Sequence, residues 1–244
     1  MLSRIFRQLW FIYGITVFLL VLCVFIPISI ILNLLLGRKA RKAIIFLIFR
    51  VAGRIILFLI GAWLKVKGKE HFQKGQQYIV LSNHQSALDI MAGPLSAVPL
   101  FLRSLGKAGT DKIPLIGGVF KHFVVYVNRG DAASRAKSVE NLKKTLSEGF
   151  SIQVYPEGSR NRTEEKLTKF YDGGFRIAIQ TQKPILVQTL VNARDRMRPT
   201  RPFQFMPGVV HIIWSTPIET KGLSMEDLPM LKEKVRAVML QNLG

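Results

Sequence analysis

Acid is missing from the start of this chain. No Asp or Glu occurs before Glu70, although the 244 residues carry 15 acidic and 35 basic side chains and a net charge of +20. Eleven Lys and Arg fall in residues 1–69: Arg4, Arg7, Arg38, Lys39, Arg41, Lys42, Arg50, Arg54, Lys65, Lys67 and Lys69. A basic, acid-free segment rich in Leu, Ile and Phe points to anionic membrane lipid. A nucleic-acid binder would set its basic residues on a soluble face among polar and aromatic groups, so nucleic acid is not an expected partner. Cysteine is equally scarce. Cys23 stands alone, which excludes an intramolecular disulfide and a cysteine-rich zinc site. It lies in an apolar run and reads as a small hydrophobe. His71, His84, His122 and His211 are scattered without metal-ligand spacing, so no metal is expected. There is no GxSxG elbow, no internal repeat and no low-complexity segment.

What the first segment does have is apolar length. No charge occurs between Arg7 and Arg38. As helix, that run would reach about 45 Å, longer than the roughly 30 Å hydrocarbon core of a bilayer. This is too long for a signal-peptide core, and no small-residue cleavage site follows. Pro27 is expected to kink it. A second apolar stretch, 43–63, is broken by Arg50 and Arg54, which share one helix face. Two arrangements fit. In one, the first stretch crosses the bilayer and the second lies along the interface, its arginines snorkelling to phosphates. In the other, both form a hairpin in one leaflet. Residues 1–64 are thus expected to be a membrane-embedded two-helix anchor and 65–244 a second domain, with a short linker near Lys65 to Lys69.

Beyond Trp63 the pattern alternates. Strand-like runs occur near 78–81, 99–102, 123–127, 151–155, 185–191 and 209–214, and helical patterns near 87–96, 132–147, 173–182 and 225–240. Ser224 and Asp227 form a plausible cap for the last helix. The alternation predicts an α/β fold with a mixed sheet flanked by helices and a site beyond strand ends.

Chemistry concentrates at those ends. Asn83-His84-Gln85-Ser86-Ala87-Leu88-Asp89 follows the first strand-like run. His84 is the side chain best suited to moving a proton near neutral pH. Asp89 lies five residues on, about 140° round a helix, so the pair would not share a face of one regular helix. A strand ending near His84 and a helix starting near Ser86 would let them meet, with Asp89 ionised in the helix's first turn. The plain alternative is a loop histidine beside an unrelated helix-start aspartate. Tyr155-Pro156-Glu157-Gly158-Ser159-Arg160 ends another strand-like run, Asn128-Arg129 a third, and Lys183-Pro184-Ile185-Leu186-Val187 opens a fourth.

In these blocks the chain resembles the glycerolipid acyltransferases of the 1-acylglycerol-3-phosphate acyltransferase family. Residues 83–89 look like the family's NHxxxxD and residues 155–160 like its FPEGTR. Asn128-Arg129 looks like the end of its second block and residues 184–187 like its fourth. The similarity covers roughly residues 65–220. Tyr155 stands for the usual Phe, Ser159 for Thr and Asn128 for Asp, so Arg129 is carried over and its neighbour is not. The resemblance implies acyl transfer from an acyl-CoA or acyl carrier protein thioester to the sn-2 hydroxyl of lysophosphatidic acid, giving phosphatidic acid. It implies no cofactor beyond that co-substrate, and a membrane location, the inner membrane of a bacterium with the catalytic domain on the cytoplasmic side. A thioester is already activated, so an alcohol can attack it once deprotonated. His84 would take that proton and Asp89 would hold the imidazole tautomer, as in a triad whose serine is replaced by the substrate hydroxyl. Arg129 and Arg160 would bind the acceptor phosphate. Gly158 would let backbone approach the ligand, and Ser159 completes the block. Glu157 would bind acceptor hydroxyls or fix Arg160, the resemblance favouring a substrate role. Lys107 resembles a family lysine near the phosphate. Pro184 is expected to shape a turn. Arg194, Arg196, Arg198 and Arg201 form a basic cluster, a solvated loop or a surface for anionic lipid or a donor carrier. The alternatives are another acceptor, such as glycerol 3-phosphate or a lyso-aminolipid, or a lipid-binding scaffold without turnover.

Overall fold

The computed structural model describes residues 2–107, 122–127 and 132–244. The chain begins with helix α1 (Leu2–Leu35) and helix α2 (Arg38–Leu59). Strand β1 (Ala62–Lys67) follows, then β2 (Ile79–Ser82), α3 (Asp89–Ser96), β3 (Leu102–Lys107), β4 (Val124–Val127), α4 (Ala132–Ser147) and β5 (Ser151–Val154). The rest is α5 (Gly173–Thr181), β6 (Ile185–Leu190), a short helical turn at Ala193–Arg196, β7 (Gly208–Trp214) and α6 (Leu228–Leu243).

The strands form one mixed sheet in the order β1-β7-β6-β2-β5-β3-β4. From β6 to β4 neighbours are parallel; β7 runs against β6 and carries β1 parallel to itself. The central strands are apolar on both faces, as helices on both sides demand. Tyr78, Val80, Leu186 and Leu190 pack with α1, α2 and α3 on one face. Ile79, Leu81, Ile152, Ile185 and Val187 pack with α4, α5 and α6 on the other. α6 is preceded by the expected cap: Ser224 Oγ accepts from Glu226 N (3.2 Å) and Asp227 Oδ2 from Ser224 N (2.8 Å).

The expected linker is largely a strand. β1 reaches Lys67 and pairs along its length with β7. Trp63, Lys65 and Lys67 point outward from this edge strand while Ala62, Leu64 and Val66 turn in, a half-buried alternation that the lysines disguise. The strand expected at 99–102 instead begins at Leu102. α1 continues through Pro27 without a break, a tolerance common in apolar helices of this length.

Among the described residues α1 alone is long and apolar enough to cross a membrane, by length and composition. Most of its apolar surface is uncovered: Leu9, Ile12, Leu19, Leu20, Val24 and Leu34 are exposed, as is Cys23. One side packs on α2, where Trp10 Nε1 donates to Ile60 O (2.9 Å) and Tyr13 Oη to Leu59 O (3.2 Å). α2 in turn belongs to the sheet's core. Phe46 meets the rings of Phe101, Phe123 and Phe150 at centroid distances of 5.0–5.6 Å. Arg50 does not reach outward to phosphates. Its Nη2 donates to the carbonyls of Pro99 and Leu100 (both 3.1 Å), which have no partner in regular structure there. Arg54 stays exposed.

Candidate active site

The C-terminal ends of β2, β5 and β3 lie together along one edge of the sheet because these strands are parallel. β2 delivers His84 to that edge and β5 delivers residues 155–160. α3 begins at Asp89 itself, so the chain turns between the strand end and the helix start. That turn lets His84 and Asp89 meet: His84 Nδ1 lies 3.0 Å from Asp89 Oδ2. The same oxygen accepts from Gln85 N and Ser86 N, both at 2.7 Å. An acceptor-only carboxylate takes the Nδ1 proton's hydrogen bond, which leaves Nε2 as the basic nitrogen. His84 is 13% exposed and Asp89 fully buried. Burial pushes the Asp89 carboxyl above the ordinary aspartate range, against the hydrogen bonds and charge of His84 and the amides of Ser86 and Gln85.

Three further groups hold His84. Tyr155 stacks on its ring at 4.1 Å and 24°, and donates its hydroxyl to Asp89 O (3.1 Å). Burial first, and then the nearby Asp89 charge, raise the Tyr155 phenol well above its usual range, so it remains a neutral donor. Glu157 Oε1 accepts from His84 N (2.8 Å), and Asn161 N donates to His84 O (2.7 Å). Glu157 Oε2 accepts from Thr168 N (3.0 Å) and Thr168 Oγ1 (2.9 Å). Both its oxygens are thus engaged in fastening the histidine backbone to the 157–168 loop, and Arg160 is not its partner. Asn83 makes a two-way amide clasp with Leu190, donating to its carbonyl (2.9 Å) and accepting from its N–H (2.8 Å).

α3 rests on a polar patch in an otherwise apolar face. Ser82 Oγ donates to Gln188 Oε1 (2.6 Å), and Gln153 Nε2 donates to Ser82 Oγ (3.0 Å) and Gln188 Oε1 (2.9 Å). Ser104 Oγ closes on Gln153 Oε1 (2.9 Å), and Gln188 Nε2 donates up into α3 at Gly93 O and Ser96 Oγ (both 2.9 Å). Gly93 makes this approach possible, since a Cβ there would sit 2.9 Å from Gln153 Nε2. The patch fixes the height of α3, and α3 carries Asp89.

His84 opens onto a cleft of about 850 Å³ lined by Glu157, Ser159, Arg160, Arg162 and Lys169 among others. Gly158, between the lining residues Glu157 and Ser159, takes a positive φ of 72°, and a Cβ there would press on Tyr171 at 3.0 Å. Arg162 and Lys169 join the site beyond the sequence blocks: Arg162 follows Arg160 by two residues, which is its one local signal, and nothing local in the sequence marks Lys169. Lys107 ends β3, two strands from β2 on the same edge. Arg129 lies outside the described residues, as does Asn128. Pro184 is at the opposite edge, before β6, where its carbonyl accepts from Ile79 N (3.0 Å). The basic cluster divides: Arg194 pairs with Glu164 (3.0 Å) and Arg196 Nη1 donates to Pro207 O (3.0 Å), while Arg198 and Arg201 open onto a separate cavity. Among the described residues no group of three or more His, Cys, Asp or Glu could hold a metal ion.

A histidine oriented by a buried carboxylate and opening onto a cationic cleft is the equipment of a group-transfer enzyme acting on an anionic acceptor. Residues 64–191 match the protein family Acyltransferase, and the chain belongs to that family. It is 33% identical over 190 residues to human 1-acyl-sn-glycerol-3-phosphate acyltransferase alpha, covering 76% of this chain and 65% of that one. It is 32% identical over 152 residues to a 1-acyl-sn-glycerol-3-phosphate acyltransferase of Borreliella burgdorferi, covering 62% and 60%. The chain thus spans slightly under two thirds of each of these relatives. Its fold is that of the crystal structure of a 1-acyl-sn-glycerophosphate acyltransferase from Thermotoga maritima, with a TM-score of 0.78 over 98% of this chain and 95% of that one, at 22% identity.

Proposed function

We propose that this protein transfers an acyl chain from a thioester to the sn-2 hydroxyl of 1-acylglycerol 3-phosphate. The observation that carries the reading is the 3.0 Å contact of His84 Nδ1 with Asp89 Oδ2 at the mouth of a cleft containing Arg160. The acceptor hydroxyl gives its proton to His84 Nε2 as its oxygen attacks the thioester carbonyl. Collapse of the tetrahedral intermediate breaks the C–S bond, and the leaving thiolate takes the proton back from the imidazolium. Asp89 stabilises that imidazolium and keeps the tautomer. Because the thioester brings its own activation, the reaction calls for no cofactor beyond the acyl-CoA or acyl carrier protein co-substrate.

Arg160, with Arg162 and Lys169 beside it, supplies the phosphate site; Arg129 is assigned to the same task from the strand-end pattern and Lys107 from the family resemblance. The acceptor hydroxyl lies a few bonds from its phosphate, so cations near His84 are where that phosphate belongs. Glu157 and Gly158 shape the site, Glu157 by holding His84. The uncovered apolar surface of α1 supports an anchor in the bilayer, with the sheet domain on the cytoplasmic side where acyl thioesters are made. Purified protein with a labelled thioester and a panel of acceptors tests this. Transfer to 1-acylglycerol 3-phosphate above glycerol 3-phosphate and lyso-aminolipids is expected; preference for another acceptor reassigns the substrate, and no transfer to any leaves a lipid-binding scaffold.

A further inference from the structure

A second concentration of positive charge lies away from the His84 cleft. Arg4 and Arg7, on the first turns of α1, face Arg198 and Arg201 across a cavity of about 490 Å³ completed by Ser3 and Gln204. It shares no lining residue with the cleft at His84. Among the described residues none of these four arginines pairs with a carboxylate. Their neighbours Arg194 and Arg196 are committed elsewhere, to Glu164 and to Pro207 O. The two walls are joined to each other. Phe205 N donates to Arg7 O (3.1 Å), and Phe11 meets Phe203 edge-on at 5.8 Å.

We propose that this four-arginine pocket binds the phosphate of an anionic phospholipid headgroup. Like charges held round one cavity repel, and an anion relieves that repulsion. Arginine forks match phosphate oxygens in two-pronged hydrogen bonds. The lipid source follows from position. No charge occurs between Arg7 and Arg38, so Arg4 and Arg7 mark the water-facing end of a long apolar helix, at the depth where headgroup phosphates lie. The pocket is also tied to the catalytic motif, since Ser86 Oγ donates to Met197 O (2.9 Å), the residue before Arg198. A phosphate gripped here would fix how the reactive edge faces the bilayer. The proposal rests on α1 lying in the membrane and not on turnover.

The test uses the full chain in micelles of an uncharged detergent, titrated with short-chain phosphatidylglycerol, phosphatidylcholine or inorganic phosphate and read by native mass spectrometry. Phosphatidylglycerol should bind saturably at one site, about tenfold or more tighter than phosphatidylcholine. The double variant Arg198→Lys/Arg201→Lys keeps the charge but loses the forks, and should weaken that binding about tenfold. The control Lys221→Gln/Lys234→Gln removes two exposed lysines and should change it less than about twofold. Equal affinity in wild type and the Arg→Lys variant, or no saturable site, would overturn the proposal. Displacement by inorganic phosphate at comparable concentration would assign the pocket to a free anion, which also overturns it. A wild-type chain that stays monodisperse without detergent would overturn the membrane reading of α1 and this proposal with it, while leaving the acyltransfer assay to stand or fall alone.

Discussion

Tyr155 lies flat against His84, centroids 4.1 Å apart, and sends its hydroxyl past the ring to the carbonyl of Asp89. One side chain therefore braces both members of the pair. The two functions separate by mutation. Tyr155→Phe keeps the stack and loses one hydrogen bond, so it should cost about 1 kcal/mol of stability and little kcat. Tyr155→Ala removes the brace, and kcat should fall by at least tenfold, since loss of positioning is paid for in rate (about 10²-fold for a 1 Å misplacement). Equal kcat in the two variants would show that the stack does nothing for catalysis.

His84→Ala should lower turnover by about 10²–10⁴-fold. Vesicle binding should persist, because the ring contributes nothing to the α1 surface. No acyl-enzyme should be seen by intact-mass measurement during turnover; a stable adduct would require a protein nucleophile and a different mechanism.

Asp89→Asn should separate activity from stability. Burial raises the native Asp89 pKa, so its contribution to stability is fully present below the ordinary carboxyl range and is lost as pH rises through the raised native value. Near neutral pH the asparagine variant should therefore melt no lower than wild type, and the comparison should shift toward wild type as the pH is lowered. Turnover should fall by a factor similar to that of the histidine variant, because the tautomer is no longer fixed. A variant that melts well below wild type at neutral pH, with the gap closing in acid, would reverse the sign assigned to this group.

Arg160→Lys preserves charge in the cleft but not the planar fork. The apparent KM for 1-acylglycerol 3-phosphate should rise, with kcat also falling if the phosphate aligns the hydroxyl, while the KM for the thioester changes much less. A selective loss of donor affinity would hand this arginine to the donor's phosphates.

Removing residues 1–59 should do more than release the protein from membranes. α2 packs Ala52, Ile56 and Leu57 into the core on one sheet face, its Phe46 meets Phe101 just before β3, and its Arg50 satisfies the carbonyls of Pro99 and Leu100. The truncated domain should aggregate or bind a hydrophobic dye, whereas removing only residues 1–35 should be tolerated better. A monodisperse 60–244 fragment with a cooperative melt would show that α2 is dispensable to the core.

Much of this was legible in the sequence, unevenly. The doubly buried strands β2, β5 and β6 announce themselves as short apolar runs, and the NHxxxxD block names both members of the pair. β1 was hidden because an edge strand alternates, and its outward lysines resemble a linker. Arg50 looked like a snorkelling residue because nothing local reveals two unpaired carbonyls 49 and 50 residues away. The fastening role of Glu157 was not legible because its partners, the His84 amide and Thr168, are joined only by the fold.

The polar patch beneath α3 has a consequence for how the sheet assembles. A strand slipped by one residue turns every side chain to the other face. For β2, β5 and β6 such a slip would drive Ser82, Gln153 or Gln188 in among Phe170, Phe175 and Ile152, with no partner for their polar atoms. Apolar residues on both faces would leave mispairings of these short strands close in energy. Ser82, Gln153 and Gln188 act as a keyway: only one alignment of the three strands lets the lock turn, and in that alignment α3 seats with Asp89 at the histidine.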